Sequence, residues 1–330
     1  MTRVLVVTNM WPREDRPAFG AFVRAQVEAL REIGLDIAVH VIEGDRGAGA
    51  YAGDVPVLRR EVRRRRPDVV HAHYGLSGWT AAWQPAPLVV SFCGDDLLGT
   101  PAPGGGLTVR SRAGVAMSRW AARKAAAIIC KSAGLAAALP RDEDRRRAHV
   151  IPNGVDASRF HPGDRAESRH RLGFDPGEEL VLFPQDPRQA LQKRFDLAEA
   201  AMAELRRRRP AARLLQVSGV PHAEMPDYYR AADCLLLTSR SEGSPNVVKE
   251  ALASGLPVVS VDVGDVRAWV ERSAGGLIAG DDPVELAGAM DLVLSSGTPV
   301  NPAPLLDELD QRAVARRVAA VYASVAGATR

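Results

Sequence analysis

The chain has 330 residues, 46% hydrophobic and 25% charged, with 43 Lys and Arg against 40 Asp and Glu for a net charge of +3. That length holds two domains of common size and falls short of three, the composition excludes disorder and a coiled coil, and the balanced charge excludes a dedicated nucleic-acid binder. Three scattered cysteines, Cys93, Cys130 and Cys234, exclude a disulfide framework and a zinc site and fit a reduced cytosolic protein.

In chain order, MTRVLVVTNM enters a buried strand at once, Val4 to Asn9, and FVRAQVEALREIG follows as an amphipathic helix closing on Gly34. This is a Rossmann-like opening. Gly20, in the loop between them, marks a close approach of backbone at the helix start. IAVHVIE is the next strand, and the Gly-rich stretch from Gly44 to Gly53 reads as a flexible linker before a basic helix that ends ahead of Pro67. DVVHAHYG is a third strand with His71 and His73 on one face, a pair that lacks the third ligand a metal needs. LVVSFCGDDLLG runs from a strand into a turn at Cys93, Asp95 and Asp96, with one aspartate able to cap that turn. AIICKS reads as the last strand of the first half, and HVIPNGVDASRFHP as a hinge.

The second half repeats the pattern with strands in LVLFPQ and ARLLQVSGV, then CLLLTS, Cys234 to Ser239. Gly243, Ser244, Pro245 and Asn246 are turn and N-cap residue types, so a helix should begin near Asn246 and end at Gly255 and Pro257 before the strand VVSVDV. In such a βαβ unit the helix N-terminus lies at the carboxyl edge of a parallel sheet, where free N–H groups and the dipole suit phosphate. Glu242 and Glu250 bracket that turn, and carboxylates accept the hydrogen bonds that sugar hydroxyls donate. Phosphate and sugar together describe a nucleotide sugar. LLDELDQRAVARRVAAVYASV reads as one final amphipathic helix.

The segment Glu242-Gly-Ser-Pro-Asn-Val-Val-Lys-Glu250, followed by ALASGLPVVS, resembles the Glu-x7-Glu signature of glycosyltransferase family 4, retaining enzymes of GT-B fold. WPREDRPAFGAFVRAQVEAL and the hinge residues Asn153, Gly154, Asp156, Phe160 and Pro162 extend the resemblance over nearly the whole chain. It implies two Rossmann-like parallel-sheet domains facing a cleft. Residues 1–155 would be the acceptor domain, 156–304 the nucleotide-sugar domain, and 305–330 a helix crossing back to the first.

By that resemblance Glu250 holds the donor ribose, Glu242 orients the transferred sugar, and Gly243, Ser244, Pro245, Asn246 and Val247 form the diphosphate turn. Lys193 and Arg188 grip the diphosphate, Val220 lies by the base, Gly20 faces the donor, and Asp95 is an acceptor-facing acid. Two departures stand out. Cys93 occupies the place of a family histidine beside the donor sugar, with His73 and Asp96 left on the acceptor side, and the usual Gly-Arg before Lys193 is missing.

The implied activity is retaining transfer from a UDP-, GDP- or dTDP-linked sugar to a hydroxyl of a polysaccharide, glycolipid or natural product, without metal. The rivals are a sugar-nucleotide 2-epimerase or phosphorylase of similar fold and a non-catalytic nucleotide-sugar-binding partner. An NAD dehydrogenase is disfavoured because no GxGxxG follows a strand. With no apolar run near the roughly 20 residues that span a bilayer, the expected place is the cytoplasm. The arginine runs Arg63 to Arg66 and Arg206 to Arg209 read as helix C-termini complementing the dipole or, more sharply, as attraction to anionic lipid headgroups.

Overall fold

The computed structural model describes residues 2–102, 106–184, 190–297 and 299–327. The chain divides into two compact units, one of Met1–Gly154 with Gln311–Arg330 and the other of Val155–Asp310. In the first unit, strands β1 (Arg3–Thr8), β2 (Asp36–Val41), β3 (Val69–His73), β4 (Leu88–Phe92), β5 (Ala127–Cys130) and β6 (Ala148–Val150) form one parallel sheet. Its order is β2-β1-β3-β4-β5-β6. The second unit holds β7 (Glu179–Pro184), β8 (Ala212–Val217), β9 (Cys234–Leu237), β10 (Val258–Val261) and β11 (Gly276–Ala279), also parallel, in the order β11-β10-β9-β7-β8.

Both sheets are wound alike. The first strand of each unit sits between its second and third, so the connections diverge there, β1 against β3 in one unit and β7 against β9 in the other. Ligands of open α/β sheets bind outside the carboxyl ends of such divergent strands. The central strands are near-continuous apolar runs because helices cover both faces, and Leu235, Leu236, Val258 and Val259 are fully buried. One core packs Leu5, Val7, Val90 and Ile128 beneath Leu58 and Ala122; the other packs Val181, Leu236 and Val259 beneath Ala201 and Met290.

Three elements differ from the sequence reading. The Gly-rich stretch is a short 3-10 turn, Gly44–Arg46, and the start of the helix Ala48–Arg65, which runs through Gly53 and Pro56. Burial of Tyr51, Leu58 and Val62 on one face outweighs the poor helix propensity of its glycines. AIICKS is not the last strand of its sheet, since β6 pairs beyond it, with Cys130 opposite Val150; three residues after a charged loop are too few to show a period. The final helix is two, Ala303–Leu309 and Gln311–Gly327. Asp310 takes extended backbone between them and bridges to Val155, whose N–H donates to the Leu309 carbonyl at 2.8 Å.

Candidate functional site

In the second unit the divergence of β7 and β9 gathers the residues of two loops. Thr238, next after β9, donates its hydroxyl to the carbonyls of Lys193 (2.6 Å) and Arg194 (3.0 Å). The Arg240 N–H donates to the Gln192 carbonyl, and the Gln192 amide donates to the Ser241 carbonyl at 3.2 Å. So sewn together, the loops bring Lys193 Nζ to 2.6 Å from Glu242 Oε1, with both side chains mostly covered. Two groups 49 residues apart in the chain thus form one charge-assisted pair. Arg188 lies outside the described residues.

The helix begins at Asn246, as its sequence predicts, and runs Asn246–Ala253. Its N-cap is Pro245, which makes no side-chain cap bond and itself carries no N–H, so the turn's amides come from its neighbours. The Ser244 hydroxyl donates to Asp265 Oδ2 at 2.7 Å and accepts from buried Lys249 at 3.1 Å, which leaves the backbone as this residue's contribution to an anion. Trp269 Nε1 donates to the same Asp265 oxygen at 3.0 Å. Gly264, with φ of +59°, lies so close under the turn that a Cβ there would stand 2.9 Å from the Gly243 carbonyl oxygen. The turn is therefore built on a floor of Gly264, Asp265 and Trp269.

Glu250 is held from two sides. His222 Nε2 lies 2.8 Å from Oε1, and the Tyr229 hydroxyl donates to Oε2 at 2.9 Å, while both rings pack on Phe160. Burial works to lower the His222 pKa, but the Glu250 charge and hydrogen bond more than offset it, and the imidazole stands above its ordinary 6.5. Each carboxylate oxygen keeps a second lone pair for another donor. His222 and Tyr229 were missed from the sequence, although a histidine two residues past Val220 and a helical tyrosine were there to be weighed. Val220 is half-buried in the loop between β8 and the helix Met225–Ala231, whose buried residues include Tyr229.

In the first unit, the carboxyl edge of β3 and β4 carries His73, Cys93, Asp95 and Asp96. Asp96 is the turn cap: Oδ1 accepts from the Cys93 (3.0 Å) and Gly94 (2.9 Å) amides and Oδ2 from Gly75 (3.0 Å). Burial and then the Asp95 charge push Asp96 up to about 7, against those three amides. Asp95 is half-buried and accepts from the Tyr74 hydroxyl at 3.4 Å. Tyr74 has φ of +81°, rare for an aromatic residue and a place where strain collects at functional sites. Burial pushes the Cys93 thiol well above its ordinary range, so it is a neutral thiol.

His71 and His73 lie on one face as expected, with ring centroids 4.3 Å apart. His71 is spent on Tyr322 (2.6 Å) and Ser91 (2.7 Å), and burial with the Lys131 charge holds it down to about 3. Burial also holds His73, whose ring nitrogens make no hydrogen bond among the described residues, well below its usual range. Gly20 needs its φ of +74° and its missing side chain for the chain itself: a Cβ would meet the Met10 carbonyl carbon at 2.3 Å. The close approach is to backbone after β1.

Arg206 to Arg209 are anchored within their unit, Arg206 on the Ala212 carbonyl, Arg207 on Glu204, and Arg208 and Arg209 on Asp291. In the other run Arg65 pairs with Glu61, while Arg63 and Arg64 are exposed. Among the described residues no three His, Cys, Asp or Glu converge on a metal position, and no helix is long and apolar enough to cross a membrane.

Residues 2–159 match the family model Glycosyltransferase Family 4, and residues 198–296 match the model Glycosyl transferases group 1. The chain is 35% identical over 184 residues to a D-inositol 3-phosphate glycosyltransferase of Nocardia farcinica, covering 46% of this chain and 40% of that protein. It thus spans less than half the length of this relative. A D-inositol 3-phosphate glycosyltransferase of Xylanimonas cellulosilytica is 30% identical over 281 residues, 72% of this chain and 67% of that protein. Among solved structures, the sucrose-phosphate synthase of Thermosynechococcus elongatus superposes with a TM-score of 0.80 at 18% identity, covering 99% of this chain and all of that one. The Anabaena protein HepE in complex with UDP-glucose does so with a TM-score of 0.69 at 17% identity, covering 97% and 99%. These likenesses, with the two parallel-sheet units, make the fold GT-B. The chain belongs to glycosyltransferase family 4.

Proposed function

We propose that this glycosyltransferase takes a nucleotide-diphosphate sugar on its second unit, residues 155–310, and a hydroxyl acceptor on its first, and transfers the sugar with retention of configuration. The observation that carries the reading is the Lys193–Glu242 pair, 2.6 Å apart, beside a helix start whose N-cap, Pro245, makes no side-chain bond. An ammonium has three donors, so Lys193 can hold Glu242 and still donate to a phosphate oxygen. The amides around Gly243, Ser244, Asn246 and Val247 and the helix dipole favour the same anion.

In this reading Glu242 accepts from a hydroxyl of the transferred sugar and Glu250 accepts from the ribose through its remaining lone pairs. Val220 borders the base. As the glycosidic C–O bond to the donor opens, charge grows on the leaving diphosphate and the sugar becomes oxocarbenium-like; Lys193 and the turn amides stabilise that charge in place before the reaction. Arg188 shares this role by its position in the chain. The acceptor hydroxyl attacks from the face the diphosphate leaves, and the leaving phosphate oxygen takes its proton. No metal is assigned to the diphosphate.

On the first unit, Asp95 is the acceptor-facing acid, held by Tyr74, and Asp96 shapes the loop that presents it. Cys93, a neutral thiol, offers steric room rather than acid or base chemistry. Gly20 sets the loop after β1 that flanks the same edge. UDP is the first donor nucleotide to test, because HepE holds UDP-glucose on a similar fold. Exposed Arg63 and Arg64 would supply any peripheral attraction to an anionic membrane from the cytoplasmic side.

The experiment is calorimetric titration of UDP, GDP and dTDP into the wild-type protein and Glu250→Ala without added metal, followed by product analysis of the matching sugar nucleotide with and without acceptor. Binding of one diphosphate, weakened in the variant, and transfer only with acceptor support the reading. Epimerised sugar formed without acceptor, or equal binding by Glu250→Ala, overturns it.

A further inference from the structure

One buried lysine in the first unit lacks a hydrogen-bonding partner among the described residues. Lys131 follows β5, is 2% exposed, and its ammonium makes no hydrogen bond among the described residues. His73, at the end of β3, is 0% exposed, and neither of its ring nitrogens makes a hydrogen bond among the described residues. The two share a face of the sheet. His73 pairs in register with Ser91 on β4, Ser91 pairs with Ile129 on β5, and Lys131 lies two residues beyond Ile129.

The groups around them act on Lys131 only at longer range, Asp96 by its charge, and give neither residue a hydrogen bond. His71 is spent on Tyr322 and Ser91, and Asp96 gives both oxygens to three backbone amides. Burial holds the thiols of Cys93 and Cys130 neutral. An ammonium brings three donors and no acceptor, and a neutral imidazole brings one N–H; both are complementary to oxygen lone pairs. Burial works against the Lys131 charge, Asp96 only partly offsetting it, so a ligand that brings an acceptor and a negative charge beside the two donors gains what the fold alone forgoes.

We infer that Lys131 and His73 form a receptor for one oxyanion, a phosphate or carboxylate group carried by the acceptor. This rests on the reading of the first unit as the acceptor's. The oxyanion accepts from Lys131 Nζ and from one His73 N–H. An acceptor bearing such a group is selected over its neutral counterpart because only the charged one satisfies both buried donors.

The test follows the ring nitrogens of the histidines by NMR in the wild type and in Lys131→Met, which keeps the length of the stem and removes the buried charge. Inorganic phosphate and acetate are titrated separately into the millimolar range, with His73 assigned through His73→Gln. The expected result is a saturable shift of the His73 signals in the wild type and none in Lys131→Met, and the more effective anion tells phosphate from carboxylate. No His73 response to either anion, or the same response in a folded Lys131→Met, overturns the inference. UDP added to the same samples reports on the donor site through His222, so a silent His222 beside a responding His73 counts against the donor assignment alone.

Discussion

Replacing Glu250 by glutamine keeps the shape of the side chain and removes one acceptor oxygen and the charge. Both carboxylate oxygens are engaged, Oε1 by His222 at 2.8 Å and Oε2 by Tyr229 at 2.9 Å, in a residue only 8% exposed. A glutamine amide must turn its NH2 toward one of these partners, and the ribose hydroxyls lose a charged acceptor. Hydrogen bonds to charged groups are worth about 1.5–3 kcal/mol, so nucleotide affinity should fall about ten- to a hundredfold. The melting temperature should fall as well, by roughly 2–4 °C per kcal/mol for a unit of this size. Calorimetry with the cognate diphosphate measures the first effect and thermal unfolding the second. Tyr229→Phe separates them, because it removes a positioning hydrogen bond and leaves the carboxylate: it should lower stability and cost less affinity than Glu250→Gln. If folded Glu250→Gln binds nucleotide like the wild type, or Tyr229→Phe loses as much affinity, the assignment of ribose to this carboxylate is wrong.

Lys193→Met should weaken diphosphate binding by about tenfold or more, since it removes a charge-assisted donor and leaves the covered Glu242 carboxylate unpaired; calorimetry with UDP and UMP should show the loss for the diphosphate and little for the monophosphate. Gly264→Ala should cost about 1–2 kcal/mol for its left-handed φ and push on the Gly243 carbonyl, so denaturant unfolding and nucleotide affinity should both worsen. Asp96→Asn should destabilise the first unit by about 1–3 kcal/mol, because an amide NH2 would face a backbone N–H of Gly75, Cys93 or Gly94; thermal unfolding reads the change. His222 has a folded pKa raised above 6.5, so its ion pair with Glu250 contributes stability fully below that value and loses it as pH rises through the raised one. The difference in melting temperature between wild type and His222→Gln should therefore be largest below 6.5 and shrink toward alkaline pH.

The apolar strand runs and the glycine and proline punctuation were enough to order two Rossmann-like halves, because parallel strands buried on both faces leave a signal within a few residues. The turn from Glu242 to Asn246 and its helix were legible for the same reason: strand end, turn residues and C-terminal Gly255 are all local. What could not be read locally was whatever depends on residues far apart in the chain. The Lys193–Glu242 pair forms only because β7 and β9 lie side by side, and Glu250 meets His222 and Tyr229 only when the loop after β8 and the helix Met225–Ala231 fold against it. Asp95 and Asp96 look alike in sequence, yet the backbone of Gly75, at the start of the helix Gly75–Ala81 after β3, makes Asp96 a structural cap, while Asp95 is left half-buried. Gly20 was recognisable as a close approach, but only the structure shows that the backbone it meets is at Met10. Burial decides the rest: Lys131 is an ordinary lysine in sequence, and only the structure shows it buried at a sheet edge without a hydrogen bond among the described residues.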